Sequence, residues 1–273
     1  MILLVASTKD PASMNIANRI LENYPFELCK EHFKAQVYVL KEYRKEVRLV
    51  VLDEELVYAQ NITDFSPTLE LIIFLSRHSS EKGIPTLSVH TPGNFGKAEL
   101  GGISRKLSVA PANAMRTALK TMAHLAEEEG LAYKVSYECT HHGPSLDRPT
   151  MFVELGSTPK QWTDIEAAKV IAHAAMETIS NFEKRDAPAA LGIGGPHYNE
   201  KFTKIALESN IAFGHIIPKY AIQEVDKEVL RQCLQKTLEK VELALLDWKG
   251  IRGEDKQRLV KTLEEMHLKI QKV

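Results

Sequence analysis

The sequence predicts an α/β fold: a central mixed, largely parallel sheet flanked by helices, with two C-terminal helices packed against it. Short runs of aliphatic and β-branched residues alternate with longer stretches whose apolar positions recur at helical spacing. Residues 69–76 form a continuous apolar run, as a strand buried on both faces requires. No self-similarity at a period of about 20 to 50 residues points to a repeat array. With 273 residues, 44% of them hydrophobic, the chain is long enough for one large core. A single domain over 1–273 is expected, with 226–273 as its helical pair.

Taken in order, residues 2–6 read as a buried strand. They are followed by the polar turn Ser7-Thr8-Lys9-Asp10-Pro11 and a helix over 12–23. Residues 36–40 and 47–52 are strand runs joined by a charged segment, and 69–76 and 86–89 are further strands. From His90 to Ser108 neither period holds, so a long loop is expected, and such loops in compact domains usually bind or cover something. Met115, Ala118, Leu119, Met122 and Leu125 stripe one face of a helix over 111–129, closed by Gly130. Residues 131–139 alternate as a half-buried strand and 150–155 form the next one, which leaves His141-His142-Gly143-Pro144 in the loop between them.

Thr158-Pro159-Lys160-Gln161 matches a capping box, and Trp162, Ile165, Lys169, Ala172, Met176 and Ile179 follow at helical spacing. A strand over 189–193 runs into Gly194-Gly195-Pro196-His197-Tyr198, then come a short helix and a strand over 211–217 containing His215. Asp226 caps a long amphipathic helix carrying Val229, Leu230, Cys233, Leu234, Val241, Leu245 and Trp248 to Gly250, and a last helix covers 254–272.

Several function classes drop out. Cys29, Cys139 and Cys233 are scattered and odd in number, which argues against a disulfide framework or a zinc ribbon and suits a reducing compartment. The N-terminal apolar run lacks the basic flank of a signal peptide, and no stretch nears the roughly 20 apolar residues of a membrane span, so a cytoplasmic protein without membrane contact is expected. A net charge of -1 excludes a chain that coats nucleic acid, leaving a local patch of Lys97, Arg105, Lys106, Arg116 and Lys120 or simply a solvated basic face. Neither a dinucleotide fingerprint nor a phosphate-loop lysine accompanies Gly194-Gly195, so no nucleotide cofactor is expected. There is no Gly-x-Ser-x-Gly elbow, and Cys139 reads as a small core residue rather than a nucleophile.

What remains is a set of histidines and glutamates in strands and adjoining loops: His78, His90, Glu138, His141, His142, Glu154, His197 and His215. Strand ends of α/β sheets converge on one crevice, where such residues can meet. Neutral imidazoles and carboxylates are the usual ligands of a catalytic zinc, which keeps a position open for water and lowers its pKa to about 7. His78 and His215 also have a plain reading, the first bonded to its own loop and the second a satisfied core histidine. His32, His124, His173 and His267 read as surface or packing residues.

The strings Ser7-Thr8-Lys9-Asp10-Pro11-Ala12-Ser13-Met14-Asn15-Ile16, His90-Thr91-Pro92-Gly93-Asn94, His141-His142-Gly143-Pro144, Phe152-Val153-Glu154-Leu155-Gly156-Ser157-Thr158 and Gly195-Pro196-His197-Tyr198, in this order, resemble the archaeal and plant type D-aminoacyl-tRNA deacylases. The resemblance spans nearly the whole chain. It implies hydrolysis of the ester between a D-amino acid and the tRNA terminal ribose, a zinc cofactor, the tRNA acceptor end as partner, and a fold similar to peptidyl-tRNA hydrolases. It carries metal binding to His90, His141, His142, Glu154 and His197, and catalysis to His141, His142, Glu154 and His197. Lys9 and Asn94 are expected to position substrate. Gly143-Pro144 and Gly195-Pro196 are expected to form a rigid wall facing the Cα substituent. The rival readings are a peptidyl-tRNA hydrolase or other metal-dependent hydrolase, and a tRNA-binding protein whose zinc is structural.

Overall fold

Asp10 shows how the first turn is made: its carboxylate accepts from the backbone N–H of Ser13, capping a helix that begins at Pro11. The computed structural model describes residues 1–29, 35–41 and 43–273. The first part of the chain forms β1 (Ile2–Ser7), α1 (Pro11–Asn23), β2 (Phe26–Leu28), β3 (Gln36–Leu40), β4 (Val47–Leu52), β5 (Leu71–Arg77) and β6 (Thr86–His90). Then follow α2 (Ala112–Glu128), β7 (Lys134–Tyr137), β8 (Thr150–Gly156), α3 (Pro159–Trp162) and α4 (Ile165–Asn181). The last part forms β9 (Ala189–Ile193), α5 (Glu200–Glu208), β10 (Ala212–Ile217), α6 (Lys227–Gln235), β11 (Val241–Leu246), α7 (Gly253–Glu265) and β12 (Lys269–Lys272).

The larger sheet has 8 strands in the order β2-β3-β4-β1-β5-β8-β6-β7. Its middle, from β4 through β1 and β5 to β8, is parallel; β2, β3 and the β8–β6 boundary are antiparallel, and β7 runs parallel to β6. The expected mixed, largely parallel sheet flanked by helices is thus borne out. Strand alternation divides its residues between two faces. Ile73, Leu75, Leu87, Val89, Val153 and Leu155 pack under α1, α2 and α4. Leu3, Val5, Ile72, Phe74 and Phe152 face the other way, beneath Leu56, Ile62 and Leu146 from the loops. Each such side chain contributes about 1.5–3 kcal/mol by leaving water.

The C-terminal region corrects the sequence reading. The helix expected to run to Gly250 stops at Gln235, and Val241–Leu246 is a strand. The final helix likewise ends at Glu265 and gives way to β12. Residues 226–273 are therefore not a helical pair. They supply two strands to a second, wholly parallel 4-stranded sheet of order β10-β9-β11-β12. Val241, Leu245 and Trp248 do recur at helical spacing, but β11 lies between β9 and β12 and finds its backbone partners there, and this tertiary pairing overrides the local preference. The helix expected from Trp162 onward is also interrupted: α3 ends, and Asp164 caps a fresh start by accepting from the N–H groups of Glu166 and Ala167. No helix among the described residues is long and apolar enough to cross a membrane.

Candidate active site

The register of the large sheet builds the site on its loop-covered face. Ser76 pairs with Glu154, Glu154 with Ser88, and Ser88 with Ser136, so these side chains form one row. Phe74, Phe152 and His90 form the neighbouring row, with the two phenyl rings stacked at 4.6 Å and the His90 ring lying over Phe152 at 5.2 Å. Glu138 follows β7 and continues that face, its N–H donating to Val89 at 3.1 Å. Because β6 and β7 oppose β8, the cluster lies across the face of the sheet and not only at its carboxyl ends, as the strand-end rule had suggested.

His78, just past β5, sits between two buried carboxylates: its Nδ1 is 3.2 Å from Glu138 Oε1 and 3.4 Å from Glu154 Oε2. Burial disfavours its charge, but the two carboxylates outweigh burial and push its pKa up to about 11. His78 is an imidazolium at neutral pH, and its Nε2–H donates to the Tyr198 hydroxyl. Burial works against the Glu138 carboxylate too, yet hydrogen bonds from His197 and His78 hold it well below the usual range.

His141 Nδ1 lies 2.8 Å from the Cys139 carbonyl and His142 Nδ1 lies 2.6 Å from the Gly143 carbonyl. A carbonyl only accepts, so both Nδ1 atoms carry the proton and both Nε2 atoms keep a lone pair. Burial and the neighbouring imidazoles hold His141 well below its ordinary range, and burial followed by His90 takes His142 to about 4. Both rings are neutral. His142 has a left-handed φ of 42°, an uncommon conformation for a residue with a Cβ. His90, 1% exposed, has no hydrogen-bond partner on either ring nitrogen.

Ligand atoms lie within 4.8 Å of one another in each of three groups: His90, His141 and His142; Glu138, His141 and His197; and His78, Glu138 and Glu154. In the third the His78 imidazolium is ion-paired with both carboxylates, although Glu138 Oε1 makes no hydrogen bond. The first two share His141 and consist of imidazoles with one carboxylate, a donor set that suits zinc, and the orphaned nitrogens of His90 fit the same role. His197 joins the cluster from the second sheet, in the loop after β9. Its Nε2 is 2.9 Å from Glu138 Oε2 and its Nδ1 is 3.0 Å from the Tyr220 hydroxyl. Gly195, φ 80°, makes that loop possible, since a Cβ there would stand 2.9 Å from Asn199 Nδ2.

Two cavities meet over His141, His142 and Leu100. One, of about 600 Å³, reaches Asp10, Glu55, Tyr58 and Arg77; the other, of about 550 Å³, reaches Phe95, Lys97 and Tyr220. Gly143 lines neither cavity but stands behind their rim: a Cβ on it would come 2.1 Å from Gly102 N, so the 101–103 loop packs directly against it. Asn94 fastens that loop by donating to the Gly101 carbonyl at 3.0 Å.

Of the residues expected to bind metal, His90, His141 and His142 come together as one group, His197 meets His141 through Glu138 in a second, and Glu154 stands with His78 and Glu138 in a third. Lys9 lines neither cavity, its ammonium 3.0 Å from Asp53, and Pro196 borders a smaller hollow beyond Tyr198. Pro144, joined to Gly143 by a cis bond, is buried, and its carbonyl accepts from Ser108 at 2.9 Å. The candidate basic patch is dispersed: Arg105 pairs with Asp226, Lys106 with Asp147, and Arg116 donates to the Ala206 and Ser209 carbonyls. His215 is a satisfied core residue and His173 bonds Tyr24, while His32 lies outside the described residues. Cys139 is buried, and burial raises its thiol pKa, so it is no nucleophile. Sequence reasoning placed His78 and Glu138 in the His/Glu set without giving either a ligand or catalytic role, and gave no role to Tyr198 or Tyr220. The alternation of β7 places Glu138 on the same face as Ser136, and that was the available signal.

Comparison with known proteins agrees with this geometry. The sequence model described as D-aminoacyl-tRNA deacylase matches residues 65–271. The chain belongs to the D-aminoacyl-tRNA deacylase family. A D-aminoacyl-tRNA deacylase of Pyrococcus furiosus is 40% identical over 275 residues, covering 97% of each chain. That of Methanocaldococcus jannaschii is 38% identical, covering 99% of each. A crystal structure of a conserved protein of unknown function superposes with a TM-score of 0.91 at 31% identity, covering 100% of this chain and 95% of the other. Family membership makes the protein an enzyme of the hydrolase class.

Proposed function

We propose that the protein hydrolyses the ester joining a D-amino acid to the 3′-terminal ribose of tRNA, acting on the acceptor end in the cytoplasm with zinc as cofactor. The observation that carries this reading is the convergence on His141 of two donor groups, with the His141 and His142 imidazoles neutral, where two cavities meet. His90, His141 and His142 would hold the metal, with Glu138, Glu154 and His197 beside them. Bound there, zinc supplies Lewis-acid polarisation and a more acidic water.

The remaining work falls to the chain itself. Glu138 accepts from His197 Nε2–H, and His197 Nδ1 accepts from the Tyr220 hydroxyl, so a proton can pass inward along this chain from the cleft mouth to Glu138. The charge of His78, with Nδ1 3.2 Å from Glu138 and 3.4 Å from Glu154, keeps both carboxylates ionised in a buried place where one would otherwise neutralise. Phe152 beneath the rings keeps water from the sheet side. Gly143-Pro144 acts by rigidly backing the 101–103 loop as part of the wall that discriminates at Cα, and Asn94 acts by fastening that loop. Lys9 and Gly195-Pro196 contribute to the tRNA side, away from the ester. The reading extends to a fold likeness with peptidyl-tRNA hydrolases, checked by superposing the 8-stranded sheet on one.

The test is release of amino acid from matched D- and L-aminoacyl-tRNA, before chelation, after it, and with zinc restored. Cleavage of the D-ester alone, lost and regained with zinc, is the expected result. Tight tRNA binding with no cleavage of either ester would replace this reading by a tRNA-binding protein with structural zinc. Unchanged D-over-L preference in Pro144→Ala would remove the wall from the account, whereas Pro196→Ala is expected to leave that preference as it is.

A further inference from the structure

Tyr220 is 59% exposed, an unusual position for a large aromatic ring bordering a buried polar cluster. Its hydroxyl is engaged by His197 Nδ1 at 3.0 Å, and its ring lies nearly parallel to that imidazole, 17° off with centroids 6.4 Å apart. The ring is therefore oriented by the site while most of its surface stays open. It borders the 550 Å³ cavity, which also contains Lys97 and runs directly onto His141 and His142. Lys97 makes no ion pair among the described residues. We infer that Tyr220 is the stacking platform for the terminal nucleobase of the tRNA, with Lys97 placed for the phosphate behind it.

This rests on the deacylase reading, which puts the ester at His141 and the terminal ribose next to it. The base is the next group along, and a single-stranded base is held by aromatic stacking far more readily than by groove contacts. The other cavity suits it less well. Tyr58 is also exposed there, but Arg77 is already held by both oxygens of Glu55, and Asp10 and Glu154 add further carboxylate character. The two cations lining it, Arg77 and the His78 imidazolium, are both already paired with these carboxylates, so no free cation remains there for a phosphate, and the α-ammonium of the amino acid suits it better. Glu99 and Glu224 line the Tyr220 cavity as well, so it is the unpaired Lys97 ammonium, and not net charge, that a phosphate would meet.

The experiment compares Tyr220→Ala, Tyr220→Phe and Tyr58→Ala on D-tyrosyl-tRNA, D-alanyl-tRNA and D-tyrosine methyl ester, which has no nucleotide. Loss of stacking in Tyr220→Ala raises KM about 5- to 100-fold, equally for both tRNAs. Tyr220→Phe, which keeps the ring, leaves those KM values near wild type. On the methyl ester the two Tyr220 variants behave alike, because only the hydroxyl contact to His197 matters there. The inference is overturned if Tyr220→Ala and Tyr220→Phe share one KM on tRNA, if the Ala-specific loss persists on the methyl ester, or if Tyr58→Ala produces the KM rise instead. Binding of uncharged tRNA with and without its terminal adenosine keeps this separate from the activity. If the wild-type protein cleaves no ester, the deacylase reading fails, while an adenosine-dependent affinity lost only in Tyr220→Ala still supports stacking and its absence still refutes it.

Discussion

His90 in the large sheet and His215 in the small one are both buried histidines on strands, and they differ in one respect. His215 has a partner at each nitrogen, Thr140 Oγ1 at 3.1 Å and the Lys236 carbonyl at 3.1 Å, and is complete within its own fold. His90 has none. A buried polar group left unpaired costs about 1–3 kcal/mol, so it persists where something from outside the chain completes it. Residue type and burial do not separate a structural histidine from a functional one; its hydrogen-bond accounts do.

The contrast is sharpest by mutation. His90→Leu is expected to lower D-aminoacyl-tRNA hydrolysis at least about 10²-fold while leaving the metal-free protein within about 1 kcal/mol of wild type in urea, because no internal hydrogen bond is lost. A large stability loss with activity retained would reverse the assignment. His215→Ala is the mirror image. It should cost about 2–4 kcal/mol, from the cavity and the two stranded partners, with turnover per folded molecule close to wild type.

Acidity tests the same pair. Burial takes the His215 pKa down from 6.5 to about 4. Above 6.5 the folded and unfolded states are both neutral there; between 6.5 and 4 only the unfolded state binds the proton, so stability falls as pH falls. The loss reaches roughly 3 kcal/mol at pH 4 from this group, and His215→Gln should flatten the metal-free stability profile by about 1.4 kcal/mol per pH unit in that window. An unchanged slope would mean that His215 is protonated in the fold. The smallest effect belongs to Asn94, which sits in the cleft wall but has its partners, as His215 does. Asn94→Ala should cost about 1 kcal/mol and raise KM more than it lowers kcat, read by denaturation and steady-state assays.

Much of this was legible from residues alone, and the gaps have physical causes. The apolar runs of β1, β5, β8 and β9 announce themselves because strands buried on both faces need nothing else. Val241–Leu246 did not, since glutamate, alanine and leucine at helical spacing favour a helix until β9 and β12 offer backbone partners from far along the chain. In the site, His141 and His142 stood out beside Gly143-Pro144. Glu138 and His78 did not, because their importance lies in facing each other across β6 and β8, a relation set by sheet order and register.

The bond between His197 and Glu138 joins a loop of the small sheet to the strand end of the large one. Any ligand gripping both residues binds only when the two halves are together, so its binding energy is shared by both and penalises their separation. Loading the site should therefore raise the unfolding midpoint of both sheets together, and a loosening mutation far out on the small sheet should be felt as weaker ligand retention. The catalytic cleft then doubles as the rivet of the architecture.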